Sequence, residues 1–342
     1  MKITQVLKLF ALLFSLTLVA AACSSDSGTE SEAEETTAGT EASDPETEAS
    51  DPETESGDPE VADLSVGVIP ITDVLAIHSG IKDGSFEEAG LTVTTADAAG
   101  GAAIIPGVTS GDFQVGFSNV YSILAAQEAG LDVRIIAPGN YVGDEDFSGL
   151  LSIEFDSTEE LEGTTIAVNT LGNLVETTVR ETLDKAGVDP ESVEFIEIPF
   201  PEMVGALEAG TVDAIAPVEP FVGLAEAAEA NLLANPFSDS QPDMLVGAWF
   251  TTGEFADTNP ATVDAFVTTL NAANDQLGAD RDLANELAVE FTATPSIEAA
   301  AAATFPIWRS DLDEGSLEKS VEIGEKWGVL DGTADIDALV NG

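Results

Sequence analysis

Histidine and cysteine are nearly missing from this chain, which has one of each, His78 and Cys23. A lone Cys excludes an internal disulfide and a Cys-based zinc site. A lone His excludes a His-based metal cluster and leaves no choice of partners for a Ser/His/Asp triad. Basic residues are scarce too. Ten Lys and Arg stand against 64 Asp and Glu, for a formal net charge of -54, and no basic cluster exists beyond the N-terminus. Nucleic acid is thereby excluded as a partner, because phosphate backbones are gripped by grouped Lys and Arg. So acidic a surface serves solubility, including in salty surroundings, rather than chemistry. Neither a cofactor nor a metal is implied by anything in the sequence.

What is present begins with a targeting segment over residues 1–22. Lys2 and Lys8 give a positive start, an apolar run covers 9–19, and Ala20-Ala21-Ala22 precede Cys23. The run is too short to span a bilayer comfortably and ends in small residues, as a secretory signal does. Ala20-Ala21-Ala22-Cys23 resembles the lipobox of bacterial lipoproteins, although Ala20 stands where Leu is preferred. That resemblance implies cleavage before Cys23 and a lipid on its sulfur; the alternative is simple secretion. Residues 23–62 form an acidic tether in which 41–47 repeats as 48–54. With almost no apolar side chains it cannot offset its chain entropy and is expected to be disordered. Its typical end-to-end distance is roughly 35 Å, more with self-repulsion.

The folded part is organised around residues 161–221, which alternate strand, turn and helix. Thr164 to Val168 is β-rich, and 169–173 break the run. Leu174, Val175, Val179, Leu183 and Ala186 then recur at helical spacing until Gly187 and Pro190. Val193 to Ile198 and Val212 to Pro217 read as the next strands. Residues 91–121 repeat this grammar, and in both stretches a helix stops at Gly and re-enters a strand (Gly111-Asp112 and Gly210-Thr211). Such alternation implies parallel strands covered by helices, with ligands beyond the carboxyl ends of the strands.

Gly84, Phe86, Gly90-Leu91, Gly111-Asp112 with Val115-Gly116, and the block 161–222 resemble the solute-binding proteins of nitrate/sulfonate/taurine-type ABC importers. The likeness runs in order from about Leu64 to Trp249 and weakens after 255. It implies an α/β, two-lobed periplasmic-binding-protein-like (type II) fold with a cleft between the lobes and two crossover strands. The first lobe is expected over 63–155 and 249–342 and the second over 156–248. Helices near 260–277, 281–292, 297–303 and 317–327 are expected to pack on the first lobe.

The loops expected to meet at the cleft carry Thr72 and Asp73, Gly100 and Gly101, Ser118, Asn119 and Tyr121 from the first lobe. Asn169, Thr170, Asn173, Glu219 and Phe221 come from the second, and Trp249 from the return crossover. Helix N-termini at Gly101 and Asn173 suit an anionic or carbonyl-bearing group. Each residue also has a purely structural role open to it: the asparagines as helix caps, Phe221 and Trp249 as core. None of Arg134, Arg180, Arg281 and Arg309 falls in these loops. A sulfonate and a pyrimidine of the thiamine-precursor kind therefore both stay open, Asp73 and Glu219 suiting the second better.

The expected function is that of a lipid-anchored solute receptor, exported across the cytoplasmic membrane and held at its outer face through Cys23. It would act as a monomer that delivers a small molecule to an ABC permease and its ATPase. A surface sensor lipoprotein is the first alternative. A pyrimidine-precursor synthase is the second, but it needs a His and a Cys-rich motif, and His78 lies in the wrong context. The chain is expected not to be an enzyme.

Overall fold

Burial alternates at the start of Asp63–Val68 (β1), where Leu64 and Val66 turn inward from the more exposed Asp63 and Ser65, as expected of an apolar strand with one face on a core. The computed structural model describes residues 57–342; the signal segment, Cys23 and the tether up to residue 56 lie outside the described residues. After β1 come β2 (Thr92–Asp97), β3 (Val115–Asn119), β4 (Arg134–Tyr141) and β5 (Leu150–Ser152). Then follow β6 (Thr165–Val168), β7 (Glu194–Glu197), β8 (Ala214–Ile215), β9 (Asn231–Ala234) and β10 (Leu245–Thr251).

They form two five-stranded sheets of orders β2-β1-β3-β10-β4 and β7-β6-β8-β5-β9. The two orders are one pattern used twice. In each, a first strand sits between two parallel neighbours, β1 between β2 and β3, β6 between β7 and β8. Each also takes one antiparallel strand, β10 or β5, that begins or ends a crossing between the halves. The crossings run side by side, with Val142 N donating to Met244 O at 3.0 Å.

This pairing moves both expected lobe boundaries. β5 belongs to the second sheet, so the chain has left the first lobe before Leu150 rather than after Phe155. Ser152 Oγ fixes it there by donating to Asp213 O at 2.6 Å. β10 lies wholly in the first sheet, which moves 245–248 from the second lobe to the first. Its seven residues are all buried, as befits an apolar strand covered on both faces. The expected end of the tether at 62 is also late. Val61 N donates to Thr262 Oγ1 at 2.9 Å and Glu60 Oε2 accepts from Thr262 N at 2.9 Å, so the chain is already fastened to the body there.

Helices Pro260–Ala279 and Arg281–Phe291 pack on helix Leu75–Asp83 of the first lobe. Helix Glu314–Lys326 lies against both Val120–Glu128 of the first lobe and Leu174–Ala186 of the second. The C-terminal part is therefore not confined to the first lobe. At its end Lys326 Nζ reaches Glu181 Oε2 at 2.6 Å and Asp184 Oδ2 at 2.9 Å, and Trp327 Nε1 donates to Glu181 at 2.9 Å. This cluster ties the lobes in the arrangement seen. Lys326→Met is expected to loosen it, read as a larger radius of gyration by small-angle scattering. No change would mean that the pair adds nothing, as is common for exposed ion pairs.

Candidate functional site

Each parallel strand hands the chain to a loop at its carboxyl end, and the loops of both sheets point at one cavity between them. Ile69, Ile71 and Asp73 follow β1, Phe117 and Asn119 end β3, Asn169 follows β6, and Val218 follows β8. Phe200, Leu174, Val175 and Phe237 complete the second-lobe wall, and Val246 and Gly247 come from β10. In this arrangement the cavity has about 30 Å³ of room, enough for about one or two waters, so a small molecule enters only when the lobes part. Its walls are mainly apolar. A register shift in β10 pairs Gly247 with both Asn119 and Asn140 and turns Val246 and Gly247 toward the cleft.

Asp73 is the most unusual wall residue. It sits in a single 3-10 turn, Thr72–Val74, and is only 3% exposed. Its Oδ1 accepts from Asn140 Nδ2 at 2.9 Å, and its backbone carbonyl accepts from Trp308 Nε1 at 3.3 Å. Oδ2 is buried without any partner. Burial pushes the carboxyl up to about 7, against the lowering effect of the Asn140 hydrogen bond. Asn169 Oδ1 and Asn173 Nδ2 are also buried and unpartnered. Buried atoms without a partner occur elsewhere too, at Thr182, Asn274 and Asn285, but Asp73 and Asn169 belong to the cavity wall, where a ligand can supply the partner.

The other expected site residues divide into those near the cavity and those away from it. Asn119 caps helix Val120–Glu128 by accepting from Ser122 N at 3.0 Å, and it lines the cavity too. Asn173 caps Leu174–Ala186 through Val175 N at 3.3 Å. Gly101 makes room. A Cβ there would collide with Ser118 Oγ and lie 3.0 Å from Asn119 N, so the helix start closes onto β3 only without a side chain. Gly100 faces the second lobe, its missing Cβ being 3.2 Å from Thr170 Oγ1 and 3.4 Å from Asn169 Nδ2. Thr72 Oγ1 donates across the lobes to Glu219 O at 3.4 Å.

Three expected residues are placed elsewhere. Trp249 is core, edge-on to Phe117 at 5.2 Å and to Phe266 at 6.1 Å. Tyr121 is fully buried beneath helix Glu314–Lys326, where the absent side chain of Gly324 admits its ring. Glu219 does not line this cavity. Oε2 accepts from Gly223 N at 3.1 Å, and the group borders a separate hollow with Pro220, Thr294, Pro295 and Ala299. Burial pushes the Glu219 carboxyl up, with Gly223 N pulling it down. Phe221 stacks on Phe200 at 6.3 Å in an apolar annexe beside Ile69 and Ile71. His78 lies flat on Phe291 with ring centres 4.2 Å apart, and it does not line the cavity. Sequence reasoning missed Asn140 and Trp308, which hold Asp73, and no local pattern marks either.

Two similar α/β lobes, joined by paired crossings and closing on a small cavity, define a periplasmic-binding-protein fold. Residues 72–282, more than half of the chain, match the family model described as NMT1/THI5 like, and the chain belongs to that family. Among solved structures it is similar to the alkanesulfonate-binding protein SsuA from Xanthomonas axonopodis pv. citri bound to MOPS. The TM-score is 0.70 at 18% identity, covering 82% of this chain and 98% of that one. It is similar to the nitrate-binding protein NrtA from Synechocystis PCC 6803, with TM-score 0.71, 15% identity and coverage of 83% and 87%. The ligand-binding component of an ABC-type import system from Staphylococcus aureus, solved with zinc bound, gives 0.73 at 14% identity, with coverage of 82% and 96%. Comparison with curated proteins gives no match. Among the described residues no helix is long and apolar enough to cross a membrane, and no cluster of His, Cys, Asp or Glu is arranged to hold a metal ion.

Proposed function

We propose that the chain is an extracytoplasmic solute receptor that captures a small molecule between its lobes and hands it to an ABC permease and its ATPase. The lipid on Cys23 keeps it at the outer face of the membrane, the acidic tether spaces it from the bilayer, and it works as a monomer. The observation that carries this is the cavity itself. Loops from both sheets meet there, and the wall residues Asp73 and Asn169 hold unpartnered polar atoms in buried surroundings. The neighbours named above, which bind alkanesulfonate and nitrate, give the setting for capture of a small solute. The solute is of the aliphatic sulfonate or the pyrimidine type.

Binding reaches the permease through lobe movement about the paired crossings at Val142 and Met244, since only a ligand with contacts in both lobes favours the closed arrangement. Calorimetry against sulfonates, nitrate and pyrimidines should give one ligand with a Kd of about micromolar or better. Silence across a broad metabolite panel would sink the proposal. Asn169→Ala is expected to cost about 1–3 kcal/mol of affinity by leaving a ligand group unpaired. Glu219→Gln, whose carboxylate faces the other hollow, should leave affinity within about 0.5 kcal/mol of the parent. Loss of a labelled lipid on Cys23→Ser would test the anchor separately.

A further inference from the structure

Anions are normally received by helix N-termini, because the first turn has free N–H groups and a partial positive charge. In this cleft part of that capacity is already used by the chain itself. Ahead of helix Leu174–Ala186, Gly172 N donates to Glu176 Oε2 at 2.7 Å and Leu171 N to Glu197 Oε2 at 3.2 Å. Val175 N donates to Asn173 Oδ1, and on the other lobe Ser122 N donates to Asn119 Oδ1. Two carboxylates and two amide oxygens thus occupy four of the N–H groups at these two helix starts. Helix Gly101–Ser110 has no side-chain cap, but Gly101 is not among the residues lining the cavity.

Positive side chains do not compensate. Arg180 is paired with Glu176 and Glu191, Arg134 with Asp257, and Arg281 with the Ala300 and Ala303 carbonyls, while Arg309 lies over the Tyr141 ring. Among the described residues no Lys or Arg lines the cavity. The polar side chains of its wall are Asp73, Asn119 and Asn169. Asp73 Oδ2 and Asn169 Oδ1 come from opposite lobes, both buried and both lacking a donor. Asn140 Nδ2 occupies the other oxygen of Asp73 and so leaves Oδ2 for the ligand. An Asn amide can present either end to a ligand, but an ionised Asp can only accept.

We infer that this cleft selects a small ligand carrying N–H donors, neutral or cationic, that bridges Asp73 and Asn169, and that it rejects oxyanions without such donors. The inference rests on the receptor reading above and narrows its ligand to the donor-bearing class. Asp73 is the specificity-determining residue and Asn140 the positioning residue behind it. An ionised carboxylate in an apolar wall repels an oxyanion at close range, with little solvent to screen it.

The test uses purified full-length protein at pH 8, stripped of bound small molecules, with calorimetry against 4-aminopyrimidine, cytosine, benzamidine, nitrate and methanesulfonate. Binding is expected among the first three and absent for the oxyanions. Asp73→Asn, close in shape and without the charge, should weaken the bound donor compound by about 30-fold or more. Nitrate or methanesulfonate binding to the parent, kept or improved in Asp73→Asn, overturns the inference while leaving the receptor reading standing. Where no probe binds, the protein is exposed to a small-molecule extract and the retained compound identified by mass spectrometry. An N–H donor compound lost from Asp73→Asn supports the inference, and an oxyanion without donors overturns it. Retention of nothing at all overturns the receptor reading together with the inference.

Discussion

Trp249→Ala should lower the unfolding free energy by about 3–5 kcal/mol, among the largest effects of any single substitution in this protein. The side chain is 1% exposed and belongs to β10, the strand that completes the first sheet between β3 and β4. Its loss empties the space between Phe117 and Phe266, and Trp249 itself lies away from water, so solvent does not fill the gap. Urea unfolding of the two proteins measures the difference. A loss under about 1 kcal/mol would contradict the core placement and return Trp249 to the cleft.

Asp73→Asn is expected to act in the opposite direction on the ligand-free protein, and to do so only away from acid. The folded pKa of about 7 lies well above the ordinary 3.8, so the folded state holds this proton more tightly than the unfolded chain. The stability that this provides is complete below about pH 4 and is lost as pH rises through 7. Three pKa units correspond to roughly 4 kcal/mol, which we take as an upper bound. Asparagine has no proton to lose. The variant should therefore match the parent in urea unfolding near pH 4 and exceed it by up to a few kcal/mol at pH 8. Self-repulsion of the acidic surface also grows with pH, but it is common to both proteins and cancels in the difference. An equal gap at both pH values would show that Asp73 does not change ionisation on folding. The same group that costs stability when empty is the one proposed to hold the ligand, the usual relation between a binding site and its scaffold.

Residues 161–221 were legible in the sequence because what organises them is local. Helical spacing from Leu174, the stop at Gly187 and the short apolar runs before and after are all set within a few positions, and β6, β7 and β8 appear where they direct. The doubled α/β grammar foreshadowed two sheets of one pattern. β9 went unread, since Asn231–Ala234 is brief and half-exposed and acquires its pairing only from β5, about eighty residues earlier. The lobe boundaries moved for a similar reason: which sheet accepts a crossover strand is decided by partners distant in sequence.

The candidate site was legible as a set of loops rather than as a set of side-chain directions. The rule that ligands gather at strand carboxyl ends led to Asp73, Asn119 and Asn169, which line one cavity. It could not show which way Glu219 faces, because a residue in an apolar turn has two sides and Gly223 N takes this one. Nor could it find Asn140 and Trp308, which meet Asp73 across 67 and 235 residues of chain. The caps at Asn119 and Asn173 were visible as capping residues. The carboxylates of Glu176 and Glu197, which occupy the neighbouring N–H groups, become meaningful only in three dimensions.

The strand orders also govern how the chain matures during synthesis. Every strand of the second sheet lies within 150–234, whereas the first sheet waits for β10 at 245–251. The half made later can therefore finish folding earlier. The half begun first stays unfinished, with β3 and β4 lacking the partner that joins them, until residues up to 251 have emerged where the chain folds.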